Sequence, residues 1–147
     1  MRVQKLIDIN ASPKSIWPFF VEPEKILQWC ITFKKFEYSN DQTSGVGTPV
    51  YIEEQASGPL MKLHFNITEC KENERLALHM VSGTGVKSYD QSWSLEPIQS
   101  GSRFMFMEDV ELPYGVIGKL IGSILEKNSA ATVDKMLAKL KTLAETQ

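Results

Sequence analysis

Between Ile31 and Leu112 the chain alternates apolar and polar residues in runs of six to ten. Turn-forming residues separate the runs. Period-two alternation is the signature of half-buried strands, and short breaks between them imply antiparallel hairpins. Six strands are predicted: Thr32–Ser39, Thr48–Ala56, Leu60–Cys70, Leu76–Ser82, Lys87–Glu96 and Ser102–Leu112. The breaks are rich in Gly, Asn, Ser and Pro, as in Ser57-Gly58-Pro59 and Pro97-Ile98-Gln99-Ser100-Gly101. Residues Arg2 to Ile9 alternate loosely and make a seventh strand.

The periodicity changes at both ends of this block. Ser12 is a good N-cap and Pro13 a good first helical residue, because proline has no N–H to leave unpaired there. A helix over roughly Pro13 to Phe20 contains Pro18, so it is short or bent. A second short helix is predicted from Pro23 to Trp29. After Pro113 the apolar residues Ile117, Leu120, Ile121, Ile124, Leu125, Val133, Met136, Leu137, Leu140 and Leu143 follow a 3.6 period over nearly thirty residues. There is no strict heptad, so a helix packed across a curved sheet fits better than a coiled coil. Strands and helices are segregated, which makes the class α+β. No linker or repeat divides the 147 residues, and one domain is expected to fill the chain.

Composition narrows the partners. Sixteen basic residues stand against eighteen acidic ones, a net charge of −2. That argues against a protein held to nucleic acid by phosphate contacts. No run approaches the roughly 18 consecutive apolar residues of a membrane span, and the first residues lack a signal-peptide core. The two cysteines, Cys30 and Cys70, form no C-x-x-C pair and suit a reduced, cytoplasmic protein.

Catalytic motifs are sparse. His64 and His79 have no zinc-ligand spacing to Cys or acidic residues, and no Ser-His-Asp motif is recognisable. No metal or cofactor is expected. Gly83-Thr84-Gly85-Val86-Lys87-Ser88 has the wrong glycine–lysine order for a phosphate loop and lies between two strands, so it reads as a hairpin turn. The acidic pairs Glu53-Glu54 and Glu108-Asp109 lie in strands, where neighbours point to opposite faces. Neither pair can converge as a dyad, but one member of each can point inward. An inward carboxyl in apolar surroundings has a raised pKa and can serve as an acid or base. Aromatic residues occur in nearly every element and fit either a solid core or a cavity lining.

Four strings resemble the START-like, or SRPBCC, superfamily. Ile7-Asp8-Ile9-Asn10-Ala11-Ser12-Pro13 with Ile16-Trp17 is similar to its opening strand and helix. Glu22-Pro23-Glu24-Lys25 followed by Trp29 is similar to its second helix. Trp93-Ser94-Leu95-Glu96-Pro97 with Gly101-Ser102-Arg103 is similar to its "W-x-L-x-P…G-T-R" hairpin. Gly115-Val116-Ile117-Gly118-Lys119-Leu120 with Leu140-Lys141-Thr142-Leu143-Ala144-Glu145 is similar to its last helix. The resemblance runs through essentially the whole chain. It implies a helix-grip fold: a seven-stranded antiparallel sheet curved around a long C-terminal helix, two short helices after the first strand, and a ligand cavity between sheet and helix.

The resemblance also implies which side chains face that cavity. Leu63, Phe65 and Ile67 should point inward, as should Leu76, Leu78 and Met80, with His79 outward. Tyr89, Gln91, Trp93 and Leu95 should do the same, with Phe104 and Phe106. Ile117, Ile121 and Leu125 should cover them from the helix. The third strand is open between Val50, Ile52, Glu54 and Tyr51, Glu53, Gln55. Met105 and Met107 would then lie outside, which suggests a partner or lid, with a weak homodimer as one candidate. The expected function is binding of a small hydrophobic or amphipathic molecule: a lipid, isoprenoid, quinone or polyketide. The rival is a cyclase or dehydratase using Glu54, Tyr89 or Glu108 as acid or base. A third possibility is an interaction module that binds no ligand.

Overall fold

The computed structural model describes residues 1–113 and 123–147 in full, and the helical backbone alone over 115–122. The elements are β1 (Arg2–Ile9), α1 (Pro13–Ile16), α2 (Pro18–Val21), α3 (Pro23–Trp29), β2 (Phe33–Tyr38), β3 (Pro49–Glu54), β4 (Met61–Lys71), β5 (Arg75–Gly83), β6 (Ser88–Ile98), β7 (Gly101–Glu111) and α4 (Gly115–Glu145). The seven strands form one antiparallel sheet in the order β1-β7-β6-β5-β4-β3-β2. Consecutive strands from β2 to β7 are neighbours, as short hairpins require. β1 closes the far side by pairing with β7. The sheet is curled into a half-barrel, with the helices on its concave side.

Three short helices, rather than two, follow β1. Each begins with a proline: Pro13, Pro18 and Pro23. Ser12 caps α1 through its hydroxyl, which accepts from the Ser15 N–H at 3.2 Å. Pro18 ends that helix because it supplies no N–H and its ring crowds the preceding turn. The chain restarts at once, Trp17 serving as the last cap of α1 and the first of α2. Pro97, expected in a break, lies within β6 opposite Ser102, so the β6–β7 connection is only Gln99-Ser100.

Gly101 shows why that hairpin needs glycine. Its φ is +143°, and a Cβ there would stand 2.3 Å from the Ile9 carbonyl oxygen and 2.7 Å from the Ala11 nitrogen. The end of β1 passes directly over it. Ser102 ties the two segments together, its hydroxyl donating to the Ala11 carbonyl at 2.7 Å.

The buried apolar residues form one continuous core, anchored in two regions. At one end of the concave face, Phe20 and Trp29 from the short helices pack on Trp93 and Phe104 from β6 and β7. Ring centroids lie 5.1–6.4 Å apart in tilted and edge-on arrangements, the geometries aromatic quadrupoles favour. The Trp29 indole N–H donates to the Phe19 carbonyl at 2.8 Å, so no buried donor is left over. Along the C-terminal half of α4, Val133, Met136, Leu137, Leu140 and Ala144 are buried. That half is also pinned by polar contacts to the β1 side. Lys5 pairs with Asp134, Lys141 donates to the Asp8 carbonyl, and Glu145 accepts from the Asn10 N–H.

Candidate functional site

The strand phases determine what faces the helices. On β3, Val50, Ile52 and Glu54 are buried while their neighbours are more exposed, which settles the open phase in favour of Glu54. Leu63, Phe65, Ile67, Leu76, Leu78, Met80, Tyr89, Gln91, Trp93, Leu95, Phe104 and Phe106 are all buried, and His79 is exposed. Leu125 is half-buried on α4. Ile117 and Ile121 lie outside the residues whose side chains are described. Met105 and Met107 fall on the other face, half-buried, where their sulfurs accept hydrogen bonds from Gln4 and Arg2.

Trp93 and Phe104 belong to the aromatic cluster at one end. Polar side chains gather farther along the same strands. The Trp93 indole N–H donates to Gln91 Oε1 at 2.9 Å, and Gln91 Nε2 donates to the Tyr89 hydroxyl oxygen at 3.0 Å. The Tyr89 hydroxyl also lies within the electrostatic reach of two carboxyls, Glu54 and Glu108. Glu108 lies directly opposite Gln91 on β6 and opposite Val3 on β1. Glu54 stands three strands away from Tyr89 in the sheet order. In a flat sheet three strand spacings are about 14 Å. The curl of the sheet shortens this distance, and the Tyr89 ring packs edge-on against Phe65 of β4, 5.3 Å between centroids, one strand from Glu54.

Glu54 is only 7% exposed. Its Oε2 accepts from the Thr32 hydroxyl at 2.7 Å, while Oε1 is buried with no hydrogen-bond partner among the described residues. Burial pushes the Glu54 carboxyl up, and the hydroxyls of Thr32 and Tyr89 only partly offset this. Burial pushes Glu108 up to about 7; the nearby Glu54 charge adds to the rise, while Tyr89 and the N-terminal ammonium oppose it. The Tyr89 hydroxyl rises well above its usual value because it is buried among these carboxyls. Cys30, buried beneath the same charges, is held as a thiol. The arrangement can keep a proton on one of two carboxyls, release it near neutral pH, and offer an acceptor oxygen on an otherwise apolar wall.

The outward partners of the acidic pairs do other work. Glu53 accepts from the Tyr51 hydroxyl at 2.8 Å, and Asp109 is exposed. Sequence reasoning was right that neither pair forms a dyad. What it missed is that the inward member of one pair feels the charge of the inward member of the other, with Tyr89 under the influence of both. It also missed Thr32, a short polar residue just before β2 with no motif around it. Among the described residues, no group of three or more His, Cys, Asp or Glu side chains is placed to hold a metal ion. No described helix is long and apolar enough to cross a membrane.

A curled seven-stranded antiparallel sheet holding a long C-terminal helix defines the helix-grip class of START-like domains. Within it, the chain belongs to the family described as polyketide cyclase / dehydrase and lipid transport, whose model matches residues 1–145. No curated protein matches the sequence. Solved structures share the fold at low identity. The Thermus thermophilus protein TTHA0849 is 19% identical, with 98% of this chain and 97% of that one covered and a TM-score of 0.82. A START superfamily protein from Mycobacterium smegmatis is 17% identical over 99% and 97%, with a TM-score of 0.79. The major latex-like protein 151 of Panax ginseng is 11% identical over 98% and 97%, with a TM-score of 0.74.

Proposed function

We propose that this chain is a single-domain cytoplasmic binding protein for a small hydrophobic or amphipathic molecule. The ligand is held between the concave sheet face and α4. Its tail lies along Leu63, Phe65, Leu78, Met80 and Phe106, and its polar end at Glu54, Tyr89, Gln91 and Glu108. The observation that carries this reading is the buried Glu54 Oε1. A carboxylate oxygen inside an apolar face costs free energy unless something bonds to it, and a bound polar group would do so. Each buried methylene of a tail contributes about 0.8 kcal/mol, so a modest acyl or isoprenoid chain suffices for affinity. Membership of a family whose description includes lipid transport supports the same reading.

The test is native mass spectrometry of the protein purified from its own host, followed by solvent extraction. A bound species of a few hundred daltons, released on denaturation, supports the proposal. Only apo mass in protein prepared without detergent contradicts it.

One observation favours a second reading, a cyclase or dehydratase. A carboxyl held at about 7 is well placed to donate and accept protons at neutral pH, and Glu108 is such a group. Incubation with a poly-β-keto thioester would distinguish it: a cyclised or dehydrated product that is lost in Glu108→Gln supports catalysis.

A further inference from the structure

The hydrogen bonds of the polar cluster run in one direction. Trp93 donates to Gln91, Gln91 donates to Tyr89, and Tyr89 in turn faces the two carboxyls. Thr32 also donates to Glu54. The Trp93 indole N–H, one Gln91 amide N–H and the Thr32 hydroxyl are thus engaged within the cluster. The buried oxygen of this cluster that has no partner among the described residues is Glu54 Oε1, an acceptor when the carboxyl is ionised.

The charges point the same way. The Glu54 charge raises Glu108, Tyr89 influences both, and the N-terminal ammonium is the one cation among the principal influences on either. That ammonium is itself occupied by the Val110 carbonyl, to which it donates at 2.9 Å. Lys5, on the neighbouring part of β1, is paired with Asp134 of α4. Two neighbouring carboxyls, one of them with a buried unpartnered oxygen, repel an anionic headgroup and suit a cation that can donate hydrogen bonds.

We infer that the polar end of the ligand is a protonated amine, which donates to Glu54 Oε1 and lies between the Glu54 and Glu108 carboxyls. The inference rests on the ligand-binding reading above and narrows it from amphipathic molecules in general to amine-bearing ones. A fatty acid would place a third carboxylate beside two, and a ketone would offer an acceptor where an acceptor already stands. An alcohol can donate to Oε1 but brings no charge to balance the pair. On binding the amine, a carboxyl that carries a proton in the free protein ionises and gives that proton to the solvent, while the ammonium keeps its own.

The test compares three probes with one tail: decylamine, decanol and decanoate. Affinities are measured by calorimetry at pH 8 below the aggregation concentration of each. Decylamine is expected to bind at least about tenfold more tightly than decanoate. The Glu54→Gln/Glu108→Gln double variant should bring the two within about twofold. The Met80→Ala variant, in the tail wall, should weaken all three probes together. Repeating the amine titration at pH 6.5 in buffers of different ionisation enthalpy should show proton release, which the double variant lacks. Decanoate or decanol binding as tightly as decylamine overturns the amine assignment and leaves the amphiphile reading standing. An amine preference that survives in the double variant also overturns the assignment. If none of the three probes binds, both readings fall.

Discussion

The glutamine variant of Glu108 gives the sharpest test of the electrostatics. A glutamate with an ordinary value of 4.5 is held at about 7 in the folded chain. Holding it there corresponds to about 3 kcal/mol between the two protonation states. Glu108 keeps some solvent contact, which trims the expected effect to about 2–3 kcal/mol. The sign follows from proton counting. Below about pH 4.5 both folded and unfolded chains carry the proton, and stability is at its full value. Between 4.5 and 7 the unfolded chain releases it while the folded chain retains it, so stability falls as pH rises, and it levels off above 7. Glu108→Gln has nearly the same shape and cannot ionise. Urea unfolding of both proteins at half-unit steps from pH 4.5 to 8.5 would measure the difference. The variant should gain about 2–3 kcal/mol over wild type between the two ends of that range. A constant offset across the range would refute the reasoning, because it would mean that Glu108 titrates like a solvated carboxyl.

Four further outcomes follow from the packing. Trp29→Ala removes the indole shared by Phe20, Trp93 and Phe104, and urea unfolding should show a loss of about 3–5 kcal/mol. Gln91→Ala leaves the Trp93 indole N–H without its acceptor and should cost about 1–3 kcal/mol by the same measurement. Gly101→Ala drives a methyl into the Ile9 carbonyl and should lower the thermal midpoint more than any alanine placed at an exposed turn glycine such as Gly58. Cys30 is fully enclosed and Cys70 half-buried, so titration of the native protein with a thiol reagent should modify Cys70 first, Cys30 reacting only on denaturation.

The limits of sequence reading fall at identifiable residues. Alternation in β4 to β7 was strong enough to give the strands, and the family resemblance supplied their phase. β3 resisted because both of its faces carry a glutamate: Val50, Ile52 and Glu54 against Tyr51, Glu53 and Gln55. Only the packed sheet distinguishes them. Pro18 announced a break, but a bend and a restart use the same residue, and the choice was made by Trp17 adopting helical geometry on both sides. The influence of Glu54 on Tyr89 and Glu108 was beyond local pattern altogether. It depends on how far a seven-stranded sheet curls, a property of the whole sheet rather than of any run of residues.

The central claim is that the concave face binds an amphipathic molecule with its polar end at the Glu54–Tyr89–Glu108 cluster. A crystal structure of the protein purified from its own host tests this most directly. The account predicts elongated density between the sheet and α4, with a polar atom within hydrogen-bond distance of Glu54 Oε1. Side chains closing the same region so that fewer than about ten ligand atoms could fit would contradict it.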